Sequence, residues 1–123
     1  MTAVPGPRRR TDPETGRAAL RRALESDEPA RADLRDASRF LLEELAAKAP
    51  GRNVEVRVPP YGAVQCVPGP RHTRGTPPGV VETDPVTWLA VATGRRDWVD
   101  AVAAGDVRAS GERTDLSAYL PLA

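Results

Sequence analysis

Two hydrophobic periods divide the chain. Between residues 31 and 49, Leu34, Ala37, Ser38, Leu41, Leu42, Leu45 and Ala49 recur at steps of three and four, which predicts one long amphipathic helix. Asp36, Arg39, Glu43 and Lys48 fall elsewhere on the wheel and are expected to be solvated. Phe40 lies off the stripe: it either packs against another element or is an exposed contact residue. Pro50-Gly51 stops the helix. An earlier helix is expected after Asp12, an N-cap followed by Pro13, whose missing N–H costs nothing at a first helical position. Ala19, Leu20, Ala23 and Leu24 give it a narrow apolar stripe.

From residue 53 the period falls to two. Val54, Val56 and Val58 alternate with Glu55 and Arg57, the pattern of a half-buried strand. Pro59-Pro60-Tyr61-Gly62 is a turn. Residues 63–67 form a second strand, and so short a connection predicts antiparallel pairing. Residues 68–79 are long, polar and irregular, with room for a short strand around Arg71 to Arg74. Val80 to Thr83 reads as another strand. The last third carries clear punctuation. Asp84-Pro85 opens a helix that ends at Gly94, and Asp97 caps a shorter one that ends at Gly105. Val107 to Ser110 is a strand closed by Gly111, and Thr114 is expected to cap a final helical turn over Asp115 to Leu120. Strands that come as a hairpin, with helices inserted before the last one, predict an α+β fold rather than a doubly wound sheet.

Composition changes this picture in one respect. Only 24 of the 123 residues are Val, Leu or Phe, and there is no Ile. That is near the edge at which chains stay unfolded, but disorder also needs high net charge, and here it is +1. The expected domain therefore has a thin core padded with alanine. Residues 1–11 read as a flexible basic tail containing Arg8, Arg9 and Arg10, and residues 12–123 as a single domain. A balanced charge and a pI near 8.0 argue against a nucleic-acid partner. No apolar run is long enough for a transmembrane segment, and the N-terminus has no apolar stretch of a secretory signal. With a single cysteine, nothing points to an oxidising compartment, and a cytoplasmic location is expected.

Candidate chemistry is sparse. One histidine and one cysteine do not supply a zinc site, and neither a phosphate-binding loop nor a dinucleotide fingerprint is present. No catalytic residue, metal or cofactor is expected. Cys66, mid-strand on the face of Val64, reads as a small buried hydrophobe rather than a nucleophile with His72 as its base. Arg71, His72, Thr73 and Arg74 form the most unusual polar cluster. It either suits an anionic group or is a surface loop paired with acids such as Glu82 and Asp84. Trp88 and Trp98 either anchor the two short helices or line a ligand cavity.

The stretch TDPVTWLAVATGRRDWVDAVAAGDVRASGERTDLSAYLPL resembles the closing segment of sterol carrier protein domains. Its matching features are the Thr93-Gly94-Arg95 turn, the short helix ending in Gly105, the strand ending in Gly111 and the final turn at Leu116 to Leu120. VEVRVPPYGAVQCVPGPRHTRGTPPGVVETDP is similar to a compact stand-alone bacterial branch of that family, so the likeness covers about three quarters of the chain from residue 31. The resemblance implies a mostly antiparallel sheet of four to five strands with helices packed on one face. It also implies an apolar space between them for a lipid, sterol or fatty acyl ligand, and a non-enzymatic binding or transport role. Two alternatives stand beside it. One is an interaction module for a partner protein, motivated by Phe40 and the basic tail. The other is an accessory domain related to that of mycothiol-dependent isomerases, binding a small anion or thiol through Arg71, His72 and Arg74. The histidine-bearing bundle of those isomerases is missing here, so their activity does not carry over.

Overall fold

A computed structural model describes residues 9–69 and 79–122. The elements run α1 (Pro13–Glu25), α2 (Arg31–Lys48), β1 (Val54–Val58), β2 (Gly62–Cys66), β3 (Gly79–Thr83), α3 (Pro85–Ala92), α4 (Trp98–Ala103) and β4 (Val107–Gly111), followed by a 3-10 turn at Ser117–Tyr119. The expected aspartate caps are in place. Asp12 accepts from the Thr15 amide at 3.0 Å, Asp84 from Thr87 at 2.9 Å and Asp97 from Asp100 at 3.1 Å. Each satisfies an amide that the first helical turn leaves without a partner. Gly94 ends α3 with φ 77, a left-handed conformation that side chains with a Cβ rarely adopt.

The strands form a four-stranded sheet in the order β2-β1-β3-β4. β1 pairs antiparallel with β2 and parallel with β3, and β3 pairs antiparallel with β4. Two of the three pairings are thus antiparallel, as expected. The central parallel pair is an addition to the sequence reading, made feasible by the long connection from β2, since a parallel return needs a dozen or more residues. The strand expected near residues 71–74 lies outside the described residues.

The registers align Val64, Val56, Val81 and Ala109 in one row on the inner face. Cys66, Val54, Gly79 and Gly111 form the next. The alternate face carries Arg57, Glu82 and Arg108, with ion pairs from Arg57 to Glu55 and from Arg108 to Glu82. Helices therefore pack on the valine face alone, and one core cluster joins Leu41, Leu42, Leu45, Val54, Val56, Val81 and Trp88. Burial of such side chains is the main favourable term in folding, at roughly 1.5–3 kcal/mol for each large one.

Phe40 meets the first of its two readings, and two other details depart from what the sequence suggests. Phe40 is buried, and it packs so closely on α1 that a Cβ on Gly16 would lie 2.5 Å from its Cβ and Cγ. Glu43, expected on the solvated face, is also buried. Its carboxylate accepts the backbone N–H groups of Arg10 and Thr11 at 2.6 and 3.0 Å, while Arg9 pairs with Glu44 at 2.8 Å. The described end of the expected tail thus lies against α2, and residues 1–8 lie outside the described residues. Finally, Thr114 does not cap the last turn, whose N-cap position is Leu116. Asp115 takes the Ser117 amide at 3.0 Å, a local bond that competes with helix formation, and only the three-residue 3-10 turn follows.

Candidate functional site

Inner-face residues shrink toward the β4 edge. Val56 and Val81 are sealed, but Ala109 and Gly111 of β4 remain exposed. The reason lies in the covering layer. α4 has six residues and spans little of the strand beside it. Its position is fixed at its C-terminal end by several contacts. Asp106 donates its amide to the Ala101 carbonyl at 3.0 Å, its carboxylate pairs with Arg96 at 2.7 Å, and its carbonyl accepts from Thr83 Oγ1 at 2.8 Å. Ala101 and Trp98 then face the core, while Val99 is 63 % exposed.

The result is an open groove of about 330 Å³. Trp98, Val99, Val102 and Ala103 form the α4 wall, and Ala109 lies on the strand side. Thr114 and Asp115 bound it from the C-terminal segment. Its volume is at the lower end of roughly 300–1,000 Å³ for small-molecule sites, and its apolar lining with few polar groups has their usual character. Hydrogen bonds from the Ser117 hydroxyl and amide hold the Asp115 carboxyl below its ordinary range, so it is a carboxylate at neutral pH.

A second groove of about 410 Å³ lies at the opposite edge of the sheet. It is lined by Arg10, Thr11, Arg39, Glu43, Tyr61 and the start of β2. It is more polar, and its groups are engaged with one another: Arg39 Nε donates to the Tyr61 carbonyl at 2.8 Å, and Glu43 holds the incoming chain.

The sequence-predicted site residues have different positions. Arg71, His72, Thr73 and Arg74 lie outside the described residues. The acids weighed as their partners are occupied, Glu82 by Arg108 and Asp84 by the α3 cap. Trp88 and Trp98 share the core cluster, and of the two only Trp98 lines the apolar groove. Trp88 is fully buried, with its indole N–H donating to the Ser38 carbonyl at 3.2 Å. Trp98 is 7 % exposed and lines the apolar groove. Sequence reasoning missed Val99, Val102, Ala109, Thr114 and Asp115. One available signal was the small Ala109 at an inward position of its strand, where the other three strands carry valine.

Cys66 is buried, and burial pushes its thiol up to about 12, well away from a reactive thiolate. Among the described residues, no group of three or more His, Cys, Asp or Glu is placed to hold a metal ion. No helix there is long and apolar enough to cross a membrane.

A family model described as a bacterial SCP ortholog matches residues 30–122. No curated protein matches the chain significantly.

Proposed function

The chain belongs to this family of bacterial orthologues of sterol carrier proteins, and from that premise we propose that it is a non-enzymatic binder of a small apolar or lipid-like ligand. The single observation that carries the reading is the apolar groove between α4 and β4, in which Trp98 supplies aromatic surface and Val99 and Val102 supply aliphatic surface. A ligand there gains by removing exposed apolar surface from water, at roughly 25 cal/mol per Å² before the entropy of association is subtracted. The site is small, which favours one short chain or one compact ring system over a sterol-sized guest. Interaction through Phe40 loses its motive, because that ring is covered by α1.

Native mass spectrometry of the purified full chain, incubated with decanol, tests the reading. A one-to-one adduct that disappears in Ala109→Leu, with the fold retained, is the expected result. Ala109 is exposed, so the larger side chain fills the groove without entering the core. An adduct equally abundant in the variant, or none in either protein, removes the groove as the binding site.

A further inference from the structure

Among the described residues, the groove's lining contains one charged residue, Asp115, and no cation. Its carboxylate accepts from Ser117 and makes no ion pair with a described arginine or lysine. Of the described guanidiniums around the groove, Arg113, two residues before Asp115, is exposed and makes none of the ion pairs, and two others are matched elsewhere. Arg96 pairs with Asp106, and Arg108 pairs with Glu82 on the far face of the sheet. An apolar tail lying along Val99, Val102 and Ala109 therefore brings its head group to the Asp115 carboxylate, which has no ion-pair partner among the described residues. Trp98 in the same lining adds an indole ring, which attracts cations through its π face.

Resting on the binding reading above, we propose that this groove selects its ligand by head-group charge, taking a single-chain amphiphile with an ammonium head. A neutral alcohol of the same tail binds less tightly, and a carboxylate least. The physical basis is Coulombic: opposite charges a few ångströms apart at a protein surface attract, and like charges repel by a similar amount. Salt weakens the discrimination, because the site is open to solvent.

The experiment compares decyltrimethylammonium, decanol and decanoate, each below its micelle-forming concentration, at neutral pH and low ionic strength. The readout is the indole N–H resonance of Trp98 in the full-length protein, with that of Trp88 as the core reference. This site-resolved signal separates the groove from the arginine-bearing groove at the opposite edge. The ammonium probe is expected to bind at least about tenfold more tightly than decanoate, with decanol between them. Asp115→Asn retains an oxygen for the Ser117 amide and is expected to reduce that ratio to about twofold or less. Decanoate binding as tightly as the ammonium probe overturns the proposal and leaves the groove reading standing. So does a ratio unchanged by Asp115→Asn. Failure of all three probes to move Trp98, decanol included, overturns both.

Discussion

β1 and β4 belong to one sheet and present the same face to the helices, yet they end in opposite states. On β1, Val54, Val56 and Val58 are all inaccessible to water, sealed beneath helices that include the long α2. On β4 only Val107 is buried, and Ala109 and Gly111 lie open beside the six-residue α4. The difference teaches how a chain with few bulky residues divides its labour. Leu41, Leu42, Leu45, Trp88 and the β1 valines concentrate at the centre and make a dense core. The β4 edge is left with small side chains and a short cover, and there the groove forms. The scarcity that thins the core also opens the site.

This contrast can be broken by substitution. The largest effect is expected from Trp88→Ala, which empties the closed region. A loss of about 3–5 kcal/mol in denaturant unfolding is expected, from both the removed surface and the cavity. A loss below about 1 kcal/mol would mean that the centre is not the tightly packed region described. Next is Gly16→Ala. A methyl group in a helix normally stabilises, but here it meets Phe40 at 2.5 Å, so overpacking decides the sign. A loss of about 1–3 kcal/mol is expected.

Cys66, in the inner row beside Val54, sharpens the same point through pH. Its folded thiol lies near 12 against an ordinary value of 9.0. The group is raised on folding, so its contribution is fully present below pH 9.0 and declines as pH rises toward 12. The loss is expected to be on the order of 1 kcal/mol at pH 10, and Cys66→Val is expected to flatten that part of the profile. Identical alkaline profiles for the two proteins would contradict a neutral buried thiol. Ser38 Oγ is buried without a hydrogen-bond partner among the described residues, so Ser38→Ala is expected to raise stability by about 1 kcal/mol. The smallest effect belongs to the open edge. Val99→Ala, at a side chain 63 % exposed, is expected to stay within about 0.5 kcal/mol of the parent, while weakening decanol binding.

Much of the fold was legible because local chemistry and tertiary packing agree. The Asp-Pro starts of α1 and α3, the Asp97 cap and the alternating valines of β1 each report a backbone state through nearby residues. The parallel pairing of β1 with β3 was not legible, because it depends on how a long segment returns. Nor was the burial of Glu43, which follows from backbone amides arriving from residues 10 and 11. The candidate site was legible only through Trp98. Its other walls come from α4, β4 and the segment at Asp115, and no periodicity brings those together. Asp115 stands out only once its placement beside the apolar wall is seen.

The central claim is that the ligand lies at the open α4–β4 edge rather than inside the layer sealed by β1. A methyl-resolved NMR titration of the full chain with decanol tests it most directly. The expected result is saturable shifts at Val99 and Val102, with Val54, Val56 and Val58 unmoved. Shifts centred on the three β1 valines, with Val99 and Val102 unmoved, would contradict it.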